Sequence, residues 1–344
     1  MMQVVFAVPG SLDDVSGGYA YDRRIIAGLR DAGHAVEVAS LAGRHPLPDD
    51  GALKAASDLL ARTDRSARLV IDGLGLPSFA EHVEELVARR AVALIHHPTA
   101  LETGAPPDER EALRAIERGM LPRLARIVTS SEATAKRLAV DFAADPARIA
   151  SVAPGVDLAR RSRGSGRITC CLLSVGNLTA RKGHDVLIKA LGRLKDLDWQ
   201  LTIAGAEREV GQLSYLKRIA EKVGVGRRIQ FPGAVVETDL ETLWDTSDVF
   251  ALATRYEGFG MAIAEALRHG LPVVTTDAAP AASLVSPEAG TVSPADDSDM
   301  LSRCLRRVIA DVPLRRAMAD TAWKIGQTLG GWHTQAEAFA AAIA

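Results

Sequence analysis

The segment "CLLSVGNLTARKGHDVLIKAL", residues 171–191, decides the fold class of this chain. A short apolar run ends near Val175, a polar loop follows it, and a helical pattern begins near His184. A nearly continuous apolar run is typical of a strand that is buried on both faces of a parallel sheet. The segment therefore predicts one strand–loop–helix unit of a doubly wound α/β domain.

The same unit recurs along the whole chain. Short apolar runs that end in Gly, Pro, Asn, Asp or Ser alternate with helical patterns, at residues 4–10, 35–41, 68–74, 91–98, 126–131 and 150–155, and then at 171–177, 200–206, 229–234, 248–254, 272–277 and 290–295. Six strands in each half predict two facing Rossmann-like domains with doubly wound parallel sheets and a cleft between them. In such sheets, ligands bind outside the carboxyl ends of the strands, so the functional residues are expected in the loops that follow the strands.

The predicted domains are residues 1–157, residues 158–330 and a C-terminal helix at 331–344 that is a candidate to pack back on the first domain. The segment "DLARRSRGSGRIT" (157–169) is basic and lacks apolar periodicity, which is typical of a linker. The alternative is a long surface loop inside one domain. For the C-terminal helix, Thr334 is predicted as the N-cap, with Glu337 as its capping-box partner.

The composition is that of a soluble globular protein and excludes several classes of function. The 344 residues are 47% hydrophobic and carry a formal net charge of −2, so the chain as a whole has no attraction for nucleic acid. Cys170, Cys171 and Cys304 form neither a disulfide framework nor a metal-ligand pattern. No apolar run reaches the ~18 residues that a membrane-spanning helix needs. Because the N-terminus also lacks a signal-peptide pattern, we expect a cytoplasmic location, with peripheral membrane contact left open.

Two adjacent cations occupy the loop of the opening segment. Arg181 and Lys182 follow a predicted strand and precede a predicted helix. The exposed N–H groups and the dipole at a helix N-terminus favour anions, and arginine can bind two phosphate oxygens at once. The loop therefore predicts a diphosphate site, and the alternative is a solvated basic loop.

A second candidate loop lies in "RYEGFGMAIAEALRHGLPVV", residues 255–274. Glu257 and Glu265 flank a Gly-Phe-Gly loop, and a helix is predicted over 261–269. Gly258 and Gly260 leave backbone N–H groups open to close approach, and a carboxylate one turn into a helix can accept from two vicinal hydroxyls of a ribose. The alternative is that Glu265 faces solvent while Glu257 only complements the helix dipole.

These two stretches resemble the retaining, nucleotide-sugar-dependent glycosyltransferases of the GT-B fold, in glycosyltransferase family 4. The E-x7-E pattern around Gly-Phe-Gly is the specific signal. Weaker matches in the same order cover nearly the whole chain: "SGGYAYDRRIIAGLRDAGHAVEV" (16–38), "VTSSEATAKRL" (128–138), "VAPGVD" (152–157) and "DLETLWDTSDVFALAT" (239–254).

The resemblance implies a role for each matching residue. The residues implied in catalysis are Glu257, Lys182, Arg181 and a histidine after the fourth strand, for which His96 is preferred over His97. Those implied in binding the donor are Gly17, Gly18, Gly176, Asn177, Gly205, Val235, Gly258, Phe259, Gly260, Met261 and Glu265. Many relatives have Gly-Arg where this chain has Gly176-Asn177, so Arg181 beside Lys182 would compensate, and the donor base and sugar stay open.

The resemblance also implies the reaction. A sugar would pass from a nucleoside-diphosphate sugar to a hydroxyl of a sugar, lipid or small-molecule acceptor, with retention at the anomeric carbon. Neither a metal ion nor another cofactor is expected, and the acidic run "DDSD" (296–299) is interpreted as surface. The acceptor is expected on the N-terminal domain, and the oligomeric state stays open.

Three other functions are compatible with a two-domain α/β architecture. A NAD-dependent oxidoreductase needs a G-x-G-x-x-G between strand and helix, which neither "VPGSLDDVSGG" nor "SVGNLTARKG" supplies. A nucleotide-sugar epimerase of similar architecture would be separated by its product. A non-catalytic sugar-nucleotide-binding paralogue is expected to lack the glutamate pair or the cations, and this chain has both.

Overall fold

The computed structural model describes residues 1–13, 17–101 and 106–344. The chain forms two compact units, the first made of Met1–Gly155 and Gly330–Ala344 and the second of Val156–Leu329. The first unit therefore ends two residues before the predicted boundary at 157, and the second ends one residue before the predicted boundary at 330. Within the described residues there are twelve strands: β1 Gln3–Pro9, β2 Ala35–Leu41, β3 Arg68–Asp72, β4 Val92–Ile95, β5 Arg126–Thr129, β6 Ile149–Ser151, β7 Cys170–Val175, β8 Trp199–Ala204, β9 Ile229–Gly233, β10 Val249–Leu252, β11 Val273–Thr276 and β12 Gly290–Ser293.

Each unit holds one six-stranded sheet in which every recorded strand pair is parallel. The strand order is β2-β1-β3-β4-β5-β6 in the first unit and β12-β11-β10-β7-β8-β9 in the second. Every predicted strand is present, and the prediction of two Rossmann-like parallel-sheet units is confirmed. Along β1, Val5 and Ala7 pack into one core while Phe6 and Val8 pack into another, because successive side chains of a strand point to opposite faces.

Helices cover the faces of the sheets. Within the described part of the chain they are α1 Gly17–Asp31, α2 Asp50–Arg62, α3 Val83–Ala88, α4 Pro107–Met120, α5 Glu132–Phe142, α6 His184–Leu191, α7 Gln212–Lys222, α8 Glu237–Asp245, α9 Met261–Arg268, α10 Ser298–Ala310, α11 Val312–Thr328 and α12 Trp332–Ile343. None of these described helices is both long enough and apolar enough to cross a bilayer.

The C-terminal helix α12 packs on the core of the first unit. The ring of Phe339 stacks on that of Phe6 with centroids 6.3 Å apart. A Cβ at Gly28 of α1 would lie 2.4 Å from the Cβ of Ala336, so glycine at position 28 permits the close approach of the two helices. The predicted cap at Thr334 is wrong, because the helix begins at Trp332 with Gly331 as its N-cap and Thr334 lies inside the first turn.

The basic segment 157–169 begins directly after the boundary between the two units and is hydrogen-bonded to the second unit. The hydroxyl of Ser162 donates to the carbonyl O of Asp245, 3.0 Å away, and Arg163 pairs with the Asp245 carboxylate. Ser165 donates to Asp248 with an O···O distance of 2.7 Å. These polar partners explain why a stretch without apolar periodicity is ordered.

The strand order of the second unit changes direction between β7 and β10. From β7 the chain proceeds to β8 and β9 on one side, whereas β10, β11 and β12 lie on the other. Loops at such a switch point diverge and leave a crevice at the carboxyl edge of the sheet. The loops after β7 and β10 are the two that the sequence analysis selected.

Candidate functional site

The loop after β7 reaches helix α6 through a short 3-10 turn, Ala180–Lys182. Gly183 follows this turn with φ +64°, a conformation that favours glycine, and it is the N-cap of α6. A Cβ at Gly183 would lie 1.8 Å from the carbonyl O of Ala253, which comes just after β10. Glycine at this position therefore lets the two loops of the switch point touch.

Arg181, Lys182 and Glu257 meet in this site. The Lys182 Nζ lies 2.5 Å from Glu257 Oε1, and an Arg181 NH1 nitrogen lies 3.1 Å from Glu257 Oε2. The same Arg181 nitrogen donates to the carbonyl O of Tyr256 at 2.6 Å. Both cations retain a partly exposed side chain, while the Glu257 side chain is 9% exposed. The cluster carries two positive charges against one negative charge.

The carboxylate of Glu257 is strongly ionised. Burial raises its pKa, but the charges of Lys182 and Arg181 outweigh burial and lower the pKa to about 2. The hydroxyl oxygen of Thr254 lies 3.2 Å from Glu257 Oε1. Nearby, burial and the charge of Lys182 lower the pKa of His184 to about 4, so this buried imidazole is neutral at pH 7.

Further bonds join the two loops into one body. The backbone N–H of Arg255 donates to the carbonyl O of Arg181 at 2.8 Å, and the hydroxyl of Thr254 donates to the carbonyl O of Tyr256 at 2.9 Å. The Arg255 guanidinium binds both carboxylate oxygens of Asp185 in α6, at 2.8 and 3.1 Å, and its Nε donates to Asp296 at 2.6 Å. Asp296 belongs to the acidic run 296–299, so one member of that run is an ion-pair partner, and Asp297 caps α10.

Thr254, Arg255 and Asp185 were not among the site residues predicted from the sequence. Their positions could have indicated a role in the site, since Thr254 and Arg255 follow the carboxyl end of β10 and Asp185 lies in the first turn of α6. The pairing itself depends on strands β7 and β10 being neighbours, which the local sequence does not state.

The Gly-Phe-Gly loop leads into α9. Gly260 is the N-cap, with φ +105°, and Met261 is the first helical residue. The carbonyl O of Phe259 accepts from the N–H of Ala281 at 2.8 Å, which fixes the loop against the following segment. The first N–H groups of a helix have no partner within the helix, so they can bind an anion. Gly258 lies in this loop, and Glu265 lies in α9, half-buried.

The remaining donor residues predicted in the second unit lie in the loops after β7, β8 and β9. A Cβ at Gly205 would lie 2.1 Å from the carbonyl O of Gly176, so glycine permits the contact between the first two loops. Gly176 adjoins the side chain of Lys182, since a Cβ there would lie 3.0 Å from Lys182 Cε. Asn177 follows Gly176, and Val235 is half-buried just before α8. Their predicted contacts with a donor stay predictions.

The residues predicted in the first unit lie around helix α1 and the loop after β4. Gly17 is the exposed first residue of α1, and Gly18 adjoins the ring of His96, since a Cβ there would lie 3.1 Å from the ring Cδ2. His97 is half-buried beside it. The Nε2 of His96 lies 2.9 Å from Asp22 Oδ1 and 3.7 Å from Asp72 Oδ2.

Asp22 and Asp72 were not predicted from the sequence either. Asp72 ends β3, where a polar residue is a recognisable signal, whereas Asp22 lies on the buried face of α1 and its partner cannot be deduced from the sequence alone. One ligand atom from each of Asp22, Asp72 and His96 lies within 4.8 Å of the others.

The second unit therefore offers an anion site with defined chemistry. Two cations, one buried carboxylate that holds them, and the N-termini of α6 and α9 converge on the switch point of the sheet. Such a set can stabilise negative charge on a phosphate oxygen and accept hydrogen bonds from hydroxyl groups.

The residues of this site lie in the part of the chain that is similar to a known protein family. Residues 166–324 match the family model of glycosyl transferases group 1. A D-inositol 3-phosphate glycosyltransferase of Mycobacterium tuberculosis (strain H37Rv) is 30% identical over 207 residues, a match that covers 54% of this chain and 42% of that protein. The match thus spans less than half the length of this relative.

Solved structures match over nearly the full chain. The sucrose-phosphate synthase of Thermosynechococcus elongatus matches with a TM-score of 0.80 at 16% identity, over 98% of each chain. HepE of Anabaena, solved in complex with UDP and glucose, matches with a TM-score of 0.78 at 17% identity, over 99% of each chain. WaaG, a glycosyltransferase involved in lipopolysaccharide biosynthesis, has a TM-score of 0.76 at 20% identity, over 99% of each chain. At these identities the likeness establishes the fold, which is that of GT-B glycosyltransferases.

Proposed function

We propose that this chain, whose residues 166–324 match the glycosyl transferases group 1, is a retaining family 4 glycosyltransferase that uses a nucleoside-diphosphate sugar as donor. The observation that carries the proposal is the cluster of Arg181, Lys182 and Glu257 at the switch point of the second sheet. It lies within the matched segment and has the charge that a diphosphate requires.

The donor diphosphate would bind to Arg181, Lys182 and the N–H groups at the start of α6 and α9. Two cations held by one carboxylate leave a net charge of +1, and the helix dipoles add to it. Glu257 keeps the two cations at fixed positions before the donor arrives, so little reorganisation is needed on binding. Glu265 would accept from the ribose hydroxyls, and the loops at Gly205 and Val235 would line the base.

In the reaction, the bond between the anomeric carbon and the diphosphate oxygen breaks while the bond from the acceptor oxygen forms. The proton of the acceptor hydroxyl passes to the departing diphosphate, and Lys182 and Arg181 stabilise the negative charge on that group. No group of the enzyme is bonded to the sugar in this scheme.

The state of Glu257 supports this scheme over a covalent intermediate. Both of its carboxylate oxygens face a cation, and its pKa is lowered to about 2. An ionised carboxylate whose charge is balanced by two cations is a weak nucleophile. Its proposed role is therefore to bind the donor sugar and to hold the cations. Retention would then come from departure and attack on the same face of the sugar.

The identity of the donor must be found by experiment, and one nucleotide sugar is the first to test. HepE of Anabaena was solved with UDP-glucose, so UDP-glucose heads the donors to try. We propose that transfer needs no metal ion, because the two cations and the helix N-termini supply the positive charge that a metal would otherwise provide.

The test is a thermal-shift screen of UDP-, GDP-, ADP- and TDP-sugars, followed by measurement of nucleoside-diphosphate release with a panel of sugar and lipid acceptors. A ligand that binds the native state raises the melting midpoint by mass action, so the correct donor stands out. We expect Lys182→Ala to lower the rate of release strongly, while Lys217→Ala, at an exposed position in α7, leaves it unchanged.

A donor that shifts the midpoint and is converted to an epimer without release of nucleoside diphosphate would contradict the proposal. The absence of a shift with every donor would contradict it as well. In the first case the anion site would serve a different reaction of the same ligand, and in the second it would serve another ligand.

A further inference from the structure

The first unit holds a buried cluster of one imidazole and two carboxylates, and the proposed reaction gives the carboxylates no role. Asp22 of α1 and Asp72 at the end of β3 are 0% and 1% exposed. The Nε2 of His96 lies 2.9 Å from Asp22 Oδ1 and 3.7 Å from Asp72 Oδ2. All three residues lie in Met1–Gly155, so the cluster is complete within one unit.

The order of the strands brings these three side chains together. Strand β3 pairs with β1 on one side and with β4 on the other. Asp72 lies opposite Leu94 in the register of β3 and β4, and His96 comes shortly after Leu94, just past the end of β4. Helix α1 follows β1, and Asp22 lies on its buried face. The cluster therefore joins the strand–loop units of three neighbouring strands.

The two carboxylates have little positive charge around them. Within the described part of the chain, the ion-pair partner of both is His96. Asp72 Oδ1 also accepts from the N–H of Leu74 at 2.8 Å, but Asp22 Oδ2 is buried and has no hydrogen-bond partner among the described residues. One imidazole carries at most one positive charge against two negative charges, and a buried charge without a partner is strongly unfavourable. The unpartnered oxygen therefore indicates that a further positive group binds in the cluster.

The donor atoms and their spacing fit a zinc ion. Zn–N and Zn–O bonds are about 2.0–2.2 Å long, so two ligand atoms of a tetrahedral zinc ion lie about 3.3 Å apart. The distances from His96 Nε2 to the two carboxylates, 2.9 and 3.7 Å, lie on either side of this value. One ligand atom from each of the three residues lies within 4.8 Å of the others. Small rotations of the side chains would therefore bring all three atoms to bonding distance.

The surroundings hold these side chains in place. A Cβ at Gly18 would lie only 3.1 Å from the Cδ2 of His96, and the ring of Tyr21 meets the imidazole edge-on with centroids 5.1 Å apart. The hydrogen bond from Leu74 orients the Asp72 carboxylate. Contacts of this kind fix the ligands of metal sites before the ion binds.

We propose that Asp22, Asp72 and His96 bind a divalent transition-metal ion, with Zn²⁺ as the first candidate, and that this ion stabilises the first unit. The ion would balance the two carboxylates and link α1, β3 and the loop after β4. An imidazole nitrogen suits zinc and its neighbours in the first transition series, whereas Mg²⁺ and Ca²⁺ prefer sites made of oxygen ligands. The inference goes beyond the proposed function, because the transfer reaction is proposed to need no metal ion.

A bound metal ion and a bound proton predict different behaviour. A proton shared between the carboxylates would also remove one negative charge, but the stability of the chain would then not depend on metal ions. A bound ion makes the melting midpoint rise with the concentration of free metal, because the ion binds the folded state. Measurements of binding and stability therefore separate the two explanations.

The experiment uses the full chain without an affinity tag, treated with EDTA and then dialysed. Calorimetric titration with Zn²⁺ gives the stoichiometry and the affinity, and the visible spectrum of added Co²⁺ reports whether the coordination is tetrahedral. Asp22→Asn and Asp72→Asn each remove one ligand charge with little change in shape. Asp31→Asn, at an exposed position of α1, is the matched control.

We expect one equivalent of Zn²⁺ to bind to the wild type and to Asp31→Asn and to raise the melting midpoint of both. Loss of a group that merely orients a ligand weakens metal binding by about 10- to 100-fold, so loss of a ligand charge should weaken it by at least about 100-fold in Asp22→Asn and Asp72→Asn. Neither ligand variant should show the rise in midpoint at the same Zn²⁺ concentration. If one of them does not fold, the other variant and the Co²⁺ spectrum of the wild type decide the question.

Three results would overturn the metal site. The wild type binds no stoichiometric Zn²⁺, or it binds Zn²⁺ no more tightly than both ligand variants do, or it binds Mg²⁺ or Ca²⁺ more tightly than Zn²⁺. None of these measurements uses a nucleotide sugar. Failure of the metal site would therefore leave the proposed transferase in place, and failure of the donor screen would leave the metal site in place.

Discussion

Arg255 binds Asp185 through two parallel hydrogen bonds, from NH1 to Oδ1 at 2.8 Å and from NH2 to Oδ2 at 3.1 Å. This pair ties the loop after β10 to the first turn of α6. Asp185 is buried, and its pKa is lowered because Arg255 and Lys189 outweigh the opposing effect of burial. The pair therefore fixes the distance between the two loops that carry Lys182 and Glu257.

Removing the guanidinium should loosen this arrangement. We expect Arg255→Ala to destabilise the second unit by roughly 2–3 kcal/mol, below the 3–5 kcal/mol typical of fully buried pairs, because it leaves Asp185 buried beside Lys189 alone. The melting midpoint measures the effect. Arg306→Ala, which removes an exposed pair with Asp196, is the control and should change the midpoint less. Equal changes in the two variants would contradict the assignment.

The stability that Glu257 contributes should depend on pH with a defined sign. Its pKa is lowered from 4.5 to about 2 in the folded chain, so its contribution is complete above pH 4.5 and is lost as the pH falls towards 2. We expect Glu257→Gln to cost up to roughly 3 kcal/mol at pH 7, since one pKa unit corresponds to about 1.4 kcal/mol, and less at pH 3.

Urea unfolding of the wild type and of Glu257→Gln at pH 7, 5 and 3 tests this dependence. Glu111→Gln, on the exposed face of α4, controls for the general effect of acid. A difference between wild type and Glu257→Gln that grows on acidification would mean that the cations do not stabilise this carboxylate.

Lys182 is expected to act on turnover more than on folding. Removing one preorganised group that stabilises developing negative charge costs about 2.7–4 kcal/mol of transition-state stabilisation, which is about a 100- to 1,000-fold loss in kcat. Lys182→Ala should show a loss of this size in the assay for nucleoside-diphosphate release. If its kcat stays within a factor of two of that of Lys217→Ala, Lys182 has no part in the reaction.

Glu265 is expected to act on donor affinity through the ribose. A hydrogen bond to a charged group contributes about 1.5–3 kcal/mol, so Glu265→Ala should weaken binding of a ribonucleotide donor by about 10- to 100-fold. Calorimetry with the matching 2′,3′-dideoxy nucleotide is the control, because that ligand has no hydroxyl to lose. Equal weakening for both nucleotides would show that Glu265 does not contact the ribose.

Gly183 should tolerate no side chain. Alanine there would place a Cβ 1.8 Å from the carbonyl O of Ala253 in a left-handed backbone conformation, so we expect a large drop in the melting midpoint or insoluble protein. Gly119→Ala in α4 is the control, because a Cβ there meets nothing within 4 Å and alanine favours the helix. A Gly183→Ala variant as stable as the wild type would contradict the described contact between the loops.

The sequence predicted the strands well because each is a short apolar run with a turn residue at its end. All four residues of β10 and four of the six residues of β7 are buried, so these strands can be recognised without knowledge of their partners. Lys182 and Glu257 were also predictable, since they stand in polar loops at the carboxyl ends of strands.

The rest depended on neighbours that are distant in sequence. Arg255 and Asp185 are 70 residues apart and meet only because β7 and β10 are adjacent. Asp22 lies on the buried face of an amphipathic helix, and its partner there, His96, is 74 residues away in the sequence. The basic segment 157–169 was predicted as a linker because it lacks apolar periodicity. It is held by hydrogen bonds to Asp245 and Asp248, which the local sequence pattern does not reveal.

The most direct test is a crystal structure of the chain with the nucleotide sugar that raises the melting midpoint most. We predict that the diphosphate lies within hydrogen-bond distance of Lys182 Nζ, of the Arg181 guanidinium and of the backbone N–H groups at the start of α9. A nucleotide sugar bound elsewhere on the chain, or bound with its phosphates away from Lys182, would contradict the account.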